Sequence, residues 1–288
     1  MPSPRRAIIR NMRLGSPLPI TWNSPDGWIA TLRRLGFRTA HWPLDDDADA
    51  ATERAYADAA ARADVVIAEI GVWNNPLSPD DATRRAAVEL CKARLALADR
   101  VDARCCVNLA GTLADSWDGP HPDNLSADTF ALIVDTVRDI VDAVDPQRTY
   151  YTLEPMPYSL PDSPDSYLDL LRAIERPRVA VHLDPVNLIN TPAKFYDNAG
   201  FLRECFAKLG PHVRSIHAKD IELRNELTVH LAELRPGLGA LDYRVLLTET
   251  AKLDPDMPVL VEHLDEQSEY EAAVEHIRGV AASLGLQT

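Results

Sequence analysis

The sequence contains few cysteines and no excess of positive charge, and each absence excludes a class of protein. Its four cysteines have no zinc-site spacing and are too sparse for a secreted disulfide scaffold. Two of them, Cys105 and Cys106, are adjacent within an apolar run, so we expect buried thiols rather than a redox pair. The formal net charge of −14 argues against a nucleic acid or an anionic membrane as partner, because both are bound through surplus lysine and arginine.

Long apolar runs are also missing. No stretch approaches the roughly 18 apolar residues of a membrane-spanning helix, and the N-terminus lacks the apolar core and small-residue cleavage site of a secretory signal peptide. The chain has 288 residues, of which 46% are hydrophobic, so it can bury a substantial core. We therefore expect a soluble, cytoplasmic protein.

The sequence does contain a regular alternation of strand and helix patterns. Predicted strands fall at residues 7–12, 38–42, 64–71, 101–109, 148–154, 179–184, 213–217 and 258–262. Predicted helices fall at residues 26–35, 47–63, 81–99, 126–144, 165–175, 198–209, 242–252 and 268–284. Eight such units predict an α/β fold, a (β/α)8 TIM barrel that forms one domain over residues 1–288. A doubly wound sheet also alternates, but here no Gly-x-Gly-x-x-Gly follows the first strand.

Loop lengths agree with the barrel. The segments after predicted helices are short, as at 35–37 and 145–147, whereas those after predicted strands are long, as at 72–80, 110–125, 156–164 and 221–241. TIM barrels carry their active sites on the loops that follow strands. The functional site is therefore expected at the carboxyl end of the strands.

Four successive predicted strands each end with one metal-type ligand: Glu154, Asp184, His217 and Glu262. In a barrel these side chains meet at one mouth. Three carboxylates repel one another there unless a cation lies between them. Three oxygen donors and one imidazole suit Mn²⁺, Mg²⁺ or Co²⁺ better than a structural zinc. Taken alone, a strand-end Asp or Glu is more often a loop or helix-cap partner, and a single His is more often a core or surface residue, so the prediction depends on all four together.

Further polar residues are candidates for binding a substrate at the same mouth. Because residues two apart on a strand share a face, His182 points inward below Asp184 and Lys219 points inward above His217. His182 could support the site or simply fill the core. Substrate contacts are expected from strand ends and from the long loops: Asn187, Lys219, His230, Arg235, Glu69 and Asn108. Aromatic residues in these loops suit stacking on a sugar ring or packing of the loop itself: Trp73, Trp117 and Tyr158.

These motifs resemble those of the xylose-isomerase-like sugar isomerase/epimerase superfamily. The resemblance covers Glu154, Asp184, His217 within Ile-His-Ala-Lys-Asp, Pro-Gly-x-Gly at 236–239, and Glu262. It implies one divalent metal ion held by Glu154, Asp184, His217 and Glu262, with Mn²⁺ expected and Mg²⁺, Co²⁺ or Zn²⁺ as alternatives. By the same resemblance Glu154 and Glu262 are the paired catalytic acid and base, and the protein is a homo-oligomer, a dimer or a tetramer.

The chain departs from the superfamily's ketose 3-epimerases at three positions. Asn187 stands where they carry a substrate-binding histidine, Leu160 where they tend to have glutamate, and Leu223 where they place an arginine. These replacements weaken the resemblance to simple ketohexose epimerases and leave the metal set intact. Endonuclease IV shares the fold, but this chain has neither its histidine-rich three-zinc site nor a basic surface.

The sequence thus predicts a metal-dependent isomerase or epimerase that removes a proton next to the carbonyl of a ketose-like sugar or polyol derivative, through an enediolate. A lyase of the same superfamily is the first alternative, either a dehydratase of the inosose or dehydroshikimate type or a subunit that cleaves C-glycosides. The second alternative is a barrel that binds a sugar without chemistry.

Overall fold

The structure is a computed structural model that describes residues 12–17 and 22–288. Eight parallel strands form a nearly closed barrel with helices between them. The barrel strands are β1 (Arg13–Gly15), β2 (Thr39–His41), β3 (Val66–Gly71), β4 (Cys105–Leu109), β5 (Tyr151–Glu154), β6 (Val179–Leu183), β7 (Val213–Ala218) and β10 (Pro258–Val261). The predicted single-domain TIM barrel is confirmed. The predicted strand at 7–12 lies outside the described residues except for Met12.

Helices cover the outer face of the sheet. They are α1 (Pro25–Leu35), α2 (Ala50–Arg62), α3 (Asp81–Arg100), α4 (Ala127–Val144), α5 (Pro164–Ile174), α6 (Pro185–Leu188), α7 (Pro192–Tyr196), α8 (Asn198–Leu209), α9 (Tyr243–Thr250) and α10 (Gln267–Ser283), with a 3₁₀ turn at Gly210–His212. In the part of the chain that the structure describes, no helix is both long enough and apolar enough to cross a membrane.

The strands follow one another around the barrel in the order β1, β10, β7, β6, β5, β4, β3, β2. The two ends of this ladder, β1 and β2, approach each other closely at Gly15. A side chain at Gly15 would place a Cβ 2.6 Å from the carbonyl oxygen of Thr39, so glycine permits the approach. The approach of β1 to β2 brings the first and second strand–helix units together and nearly closes the barrel.

The main core fills the space between sheet and helices. The strands that carry the predicted ligands are buried along their length, as expected for a parallel sheet that is covered on its outer face. In α4 the buried residues Ile133, Val137 and Ile140 recur at helical spacing and face the sheet. Each such side chain, when fully buried, stabilises the fold by about 1.5–3 kcal/mol. The four cysteines are all free and buried, as the sequence predicts.

Local signals explain several element ends, with one correction. Ser126 and Ser163 cap α4 and α5 through hydrogen bonds that their hydroxyls accept from backbone N–H groups of the first turn. Ser163 also belongs to a capping box with Ser166. Asp26, the expected cap of α1, lies in its first turn instead, and the cap is Ser24.

The segment 221–241 is not the plain loop that the sequence suggests. It contains an antiparallel hairpin of β8 (Asp220–Leu223) and β9 (Leu231–Leu234) that stands at the mouth of the barrel. Asp220 anchors it, because its carboxylate accepts hydrogen bonds from the backbone N–H groups of Ile221, Gly237 and Leu241, each at 2.9 Å. The hairpin brings Glu233 to the mouth, 3.5 Å from Nζ of Lys219.

Candidate metal centre and active site

The four predicted ligands converge at the carboxyl end of the barrel. Glu154 is the last residue of β5, Asp184 and Glu262 directly follow β6 and β10, and His217 lies near the end of β7. Each offers one ligand atom, and these four atoms all lie within 4.8 Å of one another. All four residues are buried, with at most 7% of the residue surface exposed. Convergence follows from the fold, since parallel strands end on one face of the barrel.

Local geometry directs each ligand inward. Oδ1 of Asp184 caps the short helix α6 by accepting hydrogen bonds from the N–H groups of Val186 and Asn187, which leaves Oδ2 facing the site. Below it, the hydroxyl of Tyr167 hydrogen-bonds to the backbones of Leu153 and Ala180 and so links β5 to β6. The Tyr167 hydroxyl therefore links the strand that ends at Glu154 to the strand that precedes Asp184.

Two positive groups lie among these carboxylates. Nδ1 of His217 is 2.8 Å from Glu262 Oε1 and 3.3 Å from Glu154 Oε1. Nζ of Lys219 is 2.6 Å from Glu262 Oε1 and 2.8 Å from Asp184 Oδ2. Burial alone would lower the pKa of Lys219 and of His217, but the surrounding carboxylates raise the pKa of each well above its usual value.

The two glutamates titrate differently. Burial and the negative charge of Glu262 raise the pKa of Glu154 to about 7. Burial also acts to raise the pKa of Glu262, but His217 and Lys219 hold it well below its usual value. Environments that separate the pKa values of two neighbouring carboxyl groups are typical of acid–base pairs.

The residues present fit a divalent cation. Asp184 Oδ2 and Glu262 Oε1 are buried and lack a hydrogen bond of good geometry, although the Lys219 ammonium lies close to both. Buried carboxylate oxygens without hydrogen bonds are costly unless a cation compensates them. Three carboxylates and one imidazole nitrogen form a donor set suited to Mg²⁺ or Mn²⁺. The structure does not determine which metal is bound.

A cavity of about 650 Å³ opens onto this cluster. Glu154, Glu262, Lys219 and Asn187 lie at its inner end. Three loop aromatics form part of its walls, as the sequence suggested: Trp73, Trp117 and Tyr158. A second cavity of the same volume lies at the opposite end of the barrel, where it is lined by the starts of the strands and by Arg104, Arg148 and Arg214. TIM barrels use the first of these two faces for chemistry.

The other predicted substrate-binding residues differ in where they lie. Asn187 and Lys219 line the cavity, and the Asn187 amide also donates to Glu154 Oε1 at 3.2 Å. His230 is exposed on the hairpin, and Arg235 pairs with Glu269 of α10 at 2.7 Å. Neither residue lines the cavity.

Glu69 and Asn108 are buried away from the cavity. Asn108 points from β4 toward α3, where its amide donates to Asn74 and to the Cys91 sulfur. Glu69 lies inside the barrel beneath the four ligands, with Oε1 3.2 Å from Nε2 of His217. The structure therefore brings neither residue to the position expected for a contact with substrate hydroxyls.

Sequence reasoning missed several polar residues that line the cavity, and the two nearest to the four ligands are Glu233 and His263. Their side chains pair at 3.2 Å, and Glu233 lies 3.5 Å from Nζ of Lys219. His263 directly follows Glu262, so simple strand alternation would aim it away. It reaches the cavity because its backbone is left-handed, with φ of 56°. In the sequence, the one feature that could have marked His263 as a site residue is its position directly after Glu262.

Comparisons with known proteins agree with this architecture. Among curated proteins, none matches the sequence. Solved structures of similar fold include a xylose isomerase-like TIM barrel protein from Mycobacterium smegmatis in complex with magnesium, with a TM-score of 0.66 and 16% identity over 95% of this chain and 96% of that one. A probable 3-DHS dehydratase from Bacillus anthracis has a TM-score of 0.70 and 16% identity, over 94% of this chain and 98% of that one.

A 3-keto-D-glucoside 4-epimerase from E. coli also shares the fold, with a TM-score of 0.62 and 12% identity over 93% of this chain and 100% of that one. These proteins include an epimerase and a probable dehydratase, so the fold alone does not select a reaction. The sequence profile of the family described as xylose isomerase-like TIM barrel matches residues 29–280. The chain belongs to this xylose isomerase-like TIM-barrel family.

Proposed function

We propose that the protein is a divalent-metal-dependent isomerase or epimerase that acts on a ketose-like sugar or polyol derivative by proton transfer. One observation carries the proposal. Glu154 and Glu262 lie at the inner end of the mouth cavity, in the same cluster as Asp184 and His217. A site that only binds a sugar has no need of two facing carboxylates beside a candidate metal set.

The two glutamates supply acid and base. One removes the proton next to the substrate carbonyl, and the other returns a proton to the opposite face or to the adjacent carbon. A divalent ion held by Glu154, Asp184, His217 and Glu262 would supply Lewis acidity toward the carbonyl oxygen and a neighbouring hydroxyl. Mn²⁺ is the proposed ion, with Mg²⁺, Co²⁺ and Zn²⁺ as alternatives.

The cavity favours an uncharged substrate. Among the described lining residues, Lys219 is the one lysine or arginine, and its ammonium is already in contact with Asp184 and Glu262. Phosphate groups are bound by free cationic side chains or by backbone cradles. The polar groups left for hydroxyls include the Asn187 amide and the Glu233–His263 pair, with Trp73 and Trp117 as apolar walls.

A lyase activity is the second candidate, favoured by the Glu233–His263 pair. His263 Nε2 lies 3.8 Å from Glu262 Oε2, so the pair stands beside a catalytic carboxylate and faces the cavity. An acid in this place could protonate a leaving hydroxyl β to the carbonyl after proton removal. The two activities differ in their product, because dehydration lowers the product mass by one water.

Deuterium exchange tests the proposal. The metal-stripped protein is reloaded with Mn²⁺ and incubated in D₂O with a panel of neutral ketoses and keto-polyols, and substrate mass is followed. We expect deuterium incorporation by the wild type and its loss in Glu154→Gln and in Glu262→Gln. Glu222→Gln, which removes a hairpin carboxylate paired with Arg224 outside the cavity, serves as the matched control. Exchange that persists in both active-site variants would contradict the acid–base assignment.

A further inference from the structure

Glu69 occupies an unusual position for a carboxylate. It lies on β3, across the barrel from β7, and only 1% of the residue is exposed. It does not line the mouth cavity. A buried carboxylate is retained only where its surroundings compensate the charge. Its surroundings therefore indicate what it does.

The carboxylate contacts one edge of the His217 ring while the proposed metal ligands contact the other. Glu69 Oε1 lies 3.2 Å from Nε2 of His217. Nδ1 of the same ring faces Glu262 and Glu154, at 2.8 and 3.3 Å. The two ring nitrogens of His217 thus face different carboxylates, Nε2 facing Glu69 and Nδ1 facing the proposed metal ligands. A hydrogen bond from Nε2–H to Glu69 leaves the lone pair of Nδ1 directed toward the metal ligands.

Other groups hold the Glu69 carboxylate in place. The hydroxyl of Ser215 donates to Oε2 at 3.2 Å, and Nε2 of His41 lies 3.4 Å from Oε1. His182 lies beneath, with Nδ1 3.5 Å from Oε2 and its ring 4.0 Å from the His217 ring at an angle of 73°. The His217 ring thus has the Glu69 carboxylate at Nε2 and the His182 ring packed against it, and both contacts restrict its orientation.

We propose that Glu69 is the positioning residue for His217. It accepts a hydrogen bond from Nε2–H and so fixes both the tautomer and the orientation in which Nδ1 faces the metal ligands. This inference rests on the proposed function, since it assumes that Glu154, Asp184, His217 and Glu262 hold a metal ion. Anionic partners behind ligating histidines also make the ligand nitrogen more basic, which raises metal affinity.

A different arrangement is possible with the same atoms. Ligand atoms of His41, Glu69 and His217 also lie within 4.8 Å of one another, so Glu69 could ligate a second cation. That arrangement would require His217 to lose both ring protons and bridge two ions. The number of ions bound separates the two assignments.

Metal binding, rather than activity, provides the test. Mn²⁺ affinity and stoichiometry are measured by titration calorimetry on the stripped wild type, Glu69→Gln, Glu69→Leu and the control Glu53→Gln. Glu53 is a mostly buried carboxylate of α2 that pairs with Arg100 of α3, among the helices outside the barrel. Thermal unfolding of the metal-free proteins is recorded in parallel. In the Mg²⁺-loaded wild type, ¹⁵N-histidine NMR reports which ring nitrogen of His217 carries the proton.

The inference predicts one ion per wild-type chain and an affinity about 10–100-fold weaker in Glu69→Leu, the range found when such partners are removed. Glu69→Gln, which keeps the shape but loses the charge, should fall between the two, and Glu53→Gln should match the wild type. The NMR spectrum should place the proton on Nε2. Should Glu69→Leu fail to fold, the near-isosteric Glu69→Gln carries the test.

Three results overturn the inference. Equal Mn²⁺ affinity in wild type, Glu69→Gln and Glu69→Leu would show that Glu69 does not position the ligand. Two ions in the wild type and one in Glu69→Leu would make Glu69 a ligand itself. The role of Glu69 would be merely structural if the variants lost Mn²⁺ affinity in proportion to their loss of thermal stability and the NMR spectrum placed the His217 proton on Nδ1. A wild type that binds no ion would instead overturn the proposed function and this inference with it.

Discussion

Nζ of Lys219 lies 2.6 Å from Oε1 of Glu262, the same oxygen that lies 2.8 Å from Nδ1 of His217. One carboxylate oxygen of the proposed metal set is thus already approached by two cationic side chains. A metal ion and the ammonium of Lys219 therefore compete for the negative charge of this site. The competition has a measurable consequence for metal binding.

Lys219→Met should make the protein more dependent on metal. Removal of the ammonium takes the buried cationic partner from Asp184 and one of two such partners from Glu262, and breaking a buried ion pair costs about 3–5 kcal/mol. The metal-free variant should unfold at a lower temperature, and Mn²⁺ should raise its unfolding temperature by more than it raises that of the wild type. Lys208→Met, which breaks surface pairs with Asp165 and Glu204, is the control. Equal Mn²⁺-induced shifts in wild type and variant would contradict the competition.

Gly71→Ala should displace Trp73 from the cavity wall. A Cβ at position 71 would collide with the indole of Trp73, whose ring lies 6.3 Å from that of His217. We expect altered tryptophan fluorescence, weaker binding of neutral sugars and a loss of about 1–3 kcal/mol in stability.

Two controls isolate this effect. Gly279→Ala inserts the same methyl in α10, where nothing lies within 4 Å, and should be neutral or slightly stabilising. In a Trp73→Phe background, Gly71→Ala should leave the fluorescence unchanged. A spectral change that persists in that background would assign it to another tryptophan.

Asp99 should link stability to pH at the base of the barrel. Its Oδ1 accepts hydrogen bonds from the backbone N–H groups of Gln147, Arg148 and Thr149, at 2.9, 2.6 and 3.1 Å, just before β5. Burial acts to raise the pKa of Asp99, but these hydrogen bonds bring it below its usual value. Asp99→Ala should lower the free energy of unfolding at pH 7 by about 1 kcal/mol, because two of these hydrogen bonds are exposed and water partly replaces them.

The sign of the pH effect follows from the lowered pKa. The native carboxylate binds protons less readily than the unfolded one, so its contribution is fully present above the unfolded pKa and is lost as pH falls through the folded pKa. Urea unfolding at several pH values should therefore show the wild-type advantage shrinking only in acid. A difference between wild type and Asp99→Ala that is unchanged down to pH 2 would contradict this assignment.

The sequence was sufficient to predict the barrel and the convergence of Glu154, Asp184, His217 and Glu262. Each ligand ends an apolar strand, and strand ends of a parallel barrel meet at one face whatever the details of the loops. Whether an individual strand residue points into the barrel or toward the helices was harder to predict. Asn108 pairs in register with Leu153, and Leu109 with Glu154, so Leu109 faces the cavity and Asn108 faces α3.

Depth within the barrel was equally hidden from the sequence. The predicted strand at 64–71 ends where β3 does, at Gly71, but Glu69 lies two residues before that end and therefore below the mouth rather than at it. The hairpin of β8 and β9 was missed because its strands are four residues each and are joined by a long polar turn without a characteristic turn pair. Because the hairpin was not predicted, the position of Glu233 at the cavity was not predicted either.

Crystals of the protein soaked with Mn²⁺, with diffraction data collected at the manganese absorption edge, give the most direct test of the metal centre. We expect one anomalous peak per chain, with Glu154, Asp184, Glu262 and Nδ1 of His217 as the protein ligands of the ion. The absence of a peak there, or a peak bound by other residues, would contradict the proposed metal site.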